Sequence, residues 1–166
     1  AGRTVGIIGT GHIGKRVAQL FAALGANLIG TNRSEHDDVK ALGLQYVPLD
    51  ELLHRADIIT VHLPSTPETK DFLAAREFAQ MKPSAILINC ARGPIVNSAD
   101  LAQALSDGAL AGAAVDVFNQ EPPLTDAEPL LHAPNTLLTA HIGYFTREAM
   151  IKRAKIVFAH ACAWAD

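Results

Sequence analysis

Apolar runs of strand length alternate along this chain with segments of helical period. The strand-like runs are Thr4–Ile8, Asn27–Gly30, Gln45–Val47, Asp57–Val61, Ala85–Asn89, Gly112–Val117 and Thr136–Thr139. Most are continuously apolar instead of alternating, which is the signature of strands covered on both faces. Helices between such strands force parallel pairing, because a parallel neighbour needs a long crossover. The expected class is α/β, with a doubly wound, mostly parallel sheet of about seven strands.

The helical segments carry their own signals. Ile13, Val17, Leu20, Phe21 and Leu24 fall on one face of a helix, and Gly25 is placed to end it. Asn97 can cap a helix over 98–106, with Asp100 at its positive end and Gly108 as a stop. Thr146 and Glu148 open a last helix, whose Ile151, Ala154, Phe158 and Ala161 are expected to form a buried stripe. The stretch from Glu121-Pro122-Pro123 to Pro134 is the longest irregular segment.

The 166 residues suffice for one domain that buries about two-thirds of its unfolded surface. A net charge of −3, with both signs scattered, gives no basic face for nucleic acid and no membrane-surface helix. No apolar run reaches the ~20 residues that span a bilayer. Cys90 and Cys162 lie far apart, without metal-ligand spacing, and unpaired thiols suit a reducing cytoplasm. The chain opens abruptly at Ala1-Gly2-Arg3 and closes inside an apparent helix, so a longer polypeptide is expected.

Directly after the first strand comes Gly9-Thr10-Gly11-His12-Ile13-Gly14, opening a helix. The first glycine permits the tight turn, the second lets a pyrophosphate approach the backbone, and the third lets helix and strand pack closely. The helix start offers unpaired N–H groups and a positive dipole to phosphate. In this context the motif predicts a Rossmann-type dinucleotide site. A ribose-binding acid is expected about 20 residues on. Thr31-Asn32-Arg33-Ser34 stands there instead. Asn32 does not repel a 2′-phosphate, Arg33 can pair with one and Ser34 can donate to one, so the loop favours NADP over NAD. The alternative is a solvated Arg33, or one stacked on the adenine of NAD; Asp37 and Asp38 weigh against a dianion.

Three polar residues follow three apolar runs: Arg92, Glu121 and His141. If the strands are parallel, these residues gather at one sheet edge, where ligands of open α/β sheets bind. His141 can exchange a proton near neutral pH, Glu121 is a natural partner for it, and Arg92 offers two donors to a substrate carboxylate. Taken singly, they also read as a core histidine, a loop acid and a surface charge. The other histidines His36, His54, His132 and His160 read as surface or helix residues. Asp116 interrupts an apolar strand and needs a donor. A nicotinamide carboxamide would serve, as would a backbone or turn partner.

Gly9-x-Gly11-x-x-Gly14, Met81-Lys82-Pro83-x-Ala85-x-Leu87-Ile88-Asn89, Ala91-Arg92-Gly93, Asp116-Val117-Phe118-x-x-Glu121-Pro122 and His141-Ile142-Gly143 together resemble the cofactor domain of the D-isomer-specific 2-hydroxyacid dehydrogenases. The resemblance covers essentially the whole chain. It implies one dinucleotide-binding domain over 1–166, whose helix over 146–166 leads back to a substrate domain outside this chain. It implies that Arg92 binds and polarises a 2-oxo acid, that His141 gives and takes the proton with Glu121 as partner, and that Asp116 anchors the nicotinamide. His62-Leu63-Pro64, Cys90-Ala91 and Thr69 would line the dinucleotide, with Gly9, Gly11, His12, Ile13, Gly14, Arg92, His141 and Gly143. A homodimer formed through this domain is also implied. Ala140 departs from the family's common proline, and Tyr144 and Phe145 stand where small residues are commoner. Formate dehydrogenases share the fold but place glutamine where Glu121 stands.

The expected activity is hydride transfer between NADP(H) or NAD(H) and C2 of a small 2-oxo or (R)-2-hydroxy acid. The same family contains NAD(H)-responsive corepressors, so a sensor is the alternative. An isolated cofactor-binding module with little activity of its own is another.

Overall fold

The computed structural model describes residues 1–120 and 124–165 of the chain. Glu121, with Pro122 and Pro123, lies outside the described residues. Among the described residues, seven strands form one sheet: β1 (Thr4–Ile8), β2 (Asn27–Thr31), β3 (Gln45–Tyr46), β4 (Ile58–Val61), β5 (Ile86–Asn89), β6 (Gly112–Val115) and β7 (Thr136–Leu138). Their order is β3-β2-β1-β4-β5-β6-β7, and every pairing is parallel. The strands expected from the apolar runs are all present, with ends displaced by no more than one or two residues. The chain winds outward from β1 through β2 to β3, then crosses back to β4 and winds the other way. Between β1 and β4 lies the switch point, where diverging crossovers leave a crevice beyond the carboxyl ends of the strands.

Strand geometry divides the core. Successive side chains point to opposite faces, so Val5 and Ile7 join one buried cluster with Ala18, Leu28, Val39 and Leu44. Ile8 and Ile29 join the larger cluster on the other face, with Leu52, Ile59, Leu73, Phe78, Leu87 and Leu101 among its members. Helix α1 (His12–Ala23) covers the first face over β1 and β2. Two short helices, α2 (Asp37–Lys40) and α3 (Leu49–Arg55), flank β3, and α4 (Ala75–Phe78) and α5 (Ser98–Ser106) pack together further along. The cap of α5 forms as expected: the Asn97 side-chain oxygen accepts from the Asp100 N–H at 3.1 Å, and Gly108 follows at φ 70°.

Two helical faces differ from expectation. In α1 the buried residues are Gly14 and Ala18, with Val17 and Phe21 packed beside them. Ile13, Leu20 and Leu24 point outward at 68%, 66% and 67% exposure. The cause is the third glycine of the turn. A Cβ on Gly14 would stand 2.0 Å from the Gly9 carbonyl oxygen, so the helix lies against β1 on its smallest residues. Val17 and Phe21 pack beside this contact, and Ile13, Leu20 and Leu24 are left on the outer side. In α6 (Arg147–Ala165), Ile151, Ala154, Phe158 and Ala161 are all exposed instead of forming a buried stripe. This helix starts beyond the edge strand β7 and, among the described residues, packs on no other element, so its apolar residues cover no surface there. Among the described residues, no helix is long and apolar enough to cross a membrane.

Gly14→Ala is expected to destabilise the fold by about 1–3 kcal/mol, because backbone and not a flexible side chain must give way. A urea melt measures this. An unchanged midpoint would mean that α1 stands off β1.

Candidate active site at the switch point

The glycine turn is built by steric need. Gly9 adopts φ +91°, and a side chain there would also press within 2.8 Å of the His62 carbonyl oxygen at the end of β4. Thr10, almost wholly buried, bonds the Tyr46 hydroxyl at 2.8 Å. Gly11 occupies the N-cap of α1 without a side-chain cap, so the first N–H groups of the helix are left for a ligand. A Cβ on Gly11 would meet only open space. That space is a cleft of about 510 Å³ lined by Gly11, His12, Ile13, His62, Cys90 and Arg92, with Leu63, Pro64, Ser65 and Ala91. A bare helix start facing a cleft suits an anionic diphosphate. The residues present therefore fit a dinucleotide.

A second cleft, of about 480 Å³, continues past Leu63 and Pro64. Asn32, Arg33 and Thr69 line it, together with Ile8, Thr31, Thr66, Glu68 and Phe72. Asn32 is not turned toward a ligand through its amide nitrogen. That nitrogen donates to the Ser34 carbonyl at 2.8 Å and lies 3.3 Å from His36 Nε2, so it shapes the loop. Ser34 contributes its carbonyl to the same turn. The Tyr46 hydroxyl accepts the His36 N–H at 3.2 Å while holding Thr10, which ties the β2 loop to the glycine turn. Neither Tyr46 nor His36 stood out in the sequence, and only the adjacency of β2 and β3 reveals them. Thr69 is structural as well as lining: its hydroxyl donates to the Pro64 carbonyl at 2.7 Å and accepts the Thr66 N–H at 2.8 Å.

His62 is largely buried, and desolvation pushes its pKa down to about 4. Its Nε2 lies 3.0 Å from the Thr60 hydroxyl. Cys90 is moved the other way: burial first, then the charge of Asp116, raises its thiol above the ordinary value.

Beyond β5, Asn89 shapes the turn that presents Arg92. Its side-chain oxygen accepts the Ala91 N–H at 3.1 Å, and its amide donates to the Arg92 carbonyl at 3.2 Å. The Arg92 guanidinium donates back to the Ala91 carbonyl at 2.6 Å and lines the first cleft. Beyond β6, Asp116 is 5% exposed, and its carboxylate is engaged by the turn after β7. It accepts the Thr139 hydroxyl, the Ile142 N–H at 2.9 Å and the Gly143 N–H at 2.8 Å. Burial alone would raise its pKa, but these bonds, with the nearby His141, leave it lowered. The turn partner weighed as an alternative for Asp116 is therefore present.

His141 follows β7 at φ 55°, a left-handed conformation uncommon for histidine. Its N–H donates to the Asp116 carbonyl at 2.8 Å, and its ring meets Tyr144 edge-on at 5.7 Å. Arg92, Asp116 and His141 thus follow the three neighbouring strands β5, β6 and β7, as the spacing of the apolar runs implies. Asp116, His141 and Gly143 do not line either large cleft.

Two outcomes test this description. The folded state disfavours protonated His62, so its contribution to stability is present above pH 6.5 and is lost as pH falls toward about 4. His62→Asn is expected to flatten that decline in urea melts taken across the window; an unaltered pH slope would contradict it. Asp116→Asn sets an amide against the Gly143 N–H and is expected to cost about 1–3 kcal/mol. Faster hydrogen exchange at Gly143 is the local sign, and an unperturbed Gly143 amide would refute the clamp.

Comparisons with known proteins agree with this fold. The family described as D-isomer specific 2-hydroxyacid dehydrogenase, NAD binding domain, matches residues 1–143. The glyoxylate reductase of Aeropyrum pernix is 40% identical over 166 residues, covering 99% of this chain and 49% of that protein. The glycerate dehydrogenase of Methylorubrum extorquens is 43% identical over 152 residues, covering 90% and 46%. The D-isomer specific 2-hydroxyacid dehydrogenase of Lactobacillus delbrueckii ssp. bulgaricus, solved with NAD, superposes with a TM-score of 0.89 at 34% identity, over 98% of this chain and 53% of that one. The chain spans about half the length of these relatives. With a parallel Rossmann-type sheet, a glycine turn at its switch point and a matching sequence from end to end of that fold, the chain belongs to the NAD-binding domains of the D-isomer-specific 2-hydroxyacid dehydrogenases.

Proposed function

We propose that this chain is the coenzyme half of an enzyme that transfers hydride between a nicotinamide dinucleotide and C2 of a small 2-oxo or (R)-2-hydroxy acid. The observation that carries this reading is Arg92 lining the same cleft as the Gly11-His12-Ile13 turn. One side of that cleft is suited to a diphosphate and another to a carboxylate. The relatives above are a reductase and dehydrogenases by name, which supports turnover over sensing. A substrate domain elsewhere in the polypeptide would complete the pocket, and a homodimer in the cytoplasm is part of the same proposal. Cys90 and Cys162 are free thiols, which suits that compartment.

The dinucleotide supplies or accepts the hydride when bound. Residues Gly9 to Gly14, with His12 and Ile13 between the glycines, hold its diphosphate through backbone N–H groups. His62, Leu63, Pro64, Cys90 and Ala91 border it, and Thr69 closes the far cleft. Arg92 orients the substrate carboxylate and draws charge toward the carbonyl oxygen. His141 delivers the proton to that oxygen in reduction and removes it in oxidation, with Glu121 as its partner. Asp116 holds the His141 turn in place and presents its carboxylate near Cys90, where a carboxamide could add a donor. Arg33 and Ser34 favour NADP. The family name and the NAD-bound relative support NAD as the ordinary coenzyme of this fold.

In the complete protein, Arg92→Ala is expected to lower turnover by about 10²–10³-fold. Coenzyme affinity should change far less. The assay is oxidation of NADPH or NADH with glyoxylate, hydroxypyruvate and pyruvate. Undiminished turnover in the variant would remove Arg92 from the reaction.

A further inference from the structure

The loop after β2 lacks the acid that binds ribose hydroxyls, and Asn32 stands in its place. The structure brings an acid to the same pocket from elsewhere. Glu68 lies on the short 3-10 turn Pro67–Thr69, after β4, and lines the 480 Å³ cleft together with Asn32 and Arg33. We propose that Glu68 replaces the missing ribose acid and, by countering the charge of Arg33 in the same cleft, sets the balance between NAD and NADP. This rests on the dinucleotide reading above.

Three observations carry it. First, the turn is held so that its acid has a defined place. Thr66 and Thr69 cap one another through the Thr66 N–H to Thr69 hydroxyl bond of 2.8 Å, and the Thr69 N–H returns to the Thr66 carbonyl at 3.1 Å. Thr69 is in turn pinned to the Pro64 carbonyl. Second, the carboxylate is kept ionised by its neighbours. The Thr66 hydroxyl bond and the turn's own backbone N–H lower its pKa, and the Arg33 charge acts in the same sense. Third, Glu68 and Arg33 line the same cleft and, among the described residues, form no ion pair with one another, so both can meet a ligand there.

The chemistry then follows from charge and donor count. The 2′- and 3′-hydroxyls of NAD are donors, and a carboxylate accepts them. A 2′-phosphate carries no such donors, and at neutral pH it brings nearly two negative charges into the same space. Arg33 attracts that phosphate while Glu68 repels it. The pocket is thus a balanced pair and not a dedicated phosphate site, which explains how Arg33 coexists with a fold whose relative was solved with NAD.

Calorimetric titration of this chain with NAD⁺ and with NADP⁺, at low and at moderate salt, tests the idea. Glu68→Gln keeps an acceptor for the Thr66 hydroxyl and removes only the charge. It is expected to tighten NADP⁺ about three- to tenfold at low salt, with the gain shrinking as salt rises. NAD⁺ should bind more weakly, because its ribose hydroxyls lose an ionised acceptor. Arg33→Ala should shift the balance the opposite way. If both coenzymes bind the parent chain but Glu68→Gln leaves their ratio unchanged, or weakens both alike, the role given to Glu68 is wrong. If neither binds the parent chain, the dinucleotide reading itself falls, and this inference with it.

Discussion

The contact between α1 and β1 determines most of what this chain can do. Gly14 lies so close to the Gly9 carbonyl that no side chain fits between them. That approach places the start of a twelve-residue helix directly at the switch point of the sheet. The aligned peptide dipoles and uncapped N–H groups then face the cleft beyond β1, β4 and β5. The same approach explains why Ile13, Leu20 and Leu24 are exposed, since a helix seated on glycine and alanine turns its bulk outward. Packing and binding are here one constraint.

A second constraint acts at the other end of the site. His141 holds a left-handed backbone that costs free energy for any residue with a side chain. It persists because Asp116 takes hold of the turn at four points: its carbonyl accepts the His141 N–H, and its carboxylate accepts from Thr139, Ile142 and Gly143. The usual proline before this histidine is Ala140, so rigidity comes from the neighbouring strand instead of from a ring in the chain. A buried carboxylate is costly without donors, and this turn supplies three. The acid and the turn therefore order one another.

Much of the fold was legible because its signals are local. Seven apolar runs, the Gly9–Gly14 turn, the Asn97 cap and the stops at Gly25 and Gly108 each depend on a few adjacent residues. The places of Arg92, Asp116 and His141 followed from strand ends alone. The facing of α1 was not legible, because periodicity marks an apolar stripe but not the depth at which glycine lets a helix sit. The exposure of α6 was not legible either, since amphipathic spacing does not say which surface is within reach. Glu68 and Tyr46 entered the site from segments remote in sequence. Glu68 arrives through a turn after β4, and Tyr46 through the pairing of β3 with β2. No spacing rule joins those residues to Arg33 or Thr10. The place of Glu121 lies outside the described residues.

The electrostatics of the cleft explain how an anion could bind where few cations stand. His62 borders the diphosphate region, yet desolvation holds its pKa at about 4, so it is neutral at physiological pH. Cys90, on the same wall, is pushed toward its protonated form by burial and by Asp116. Lys15, one residue past the glycine turn, is drawn away into an ion pair with Asp38. Attraction for the diphosphate therefore falls chiefly to backbone N–H groups and the helix dipole, neither of which titrates. Arg92, after β5, also lines this cleft, and the proposed reaction uses it for the substrate carboxylate. The separation is chemically useful. Fixed dipoles do not change with pH, so the grip they offer a diphosphate is independent of the protonation of side chains around the cleft.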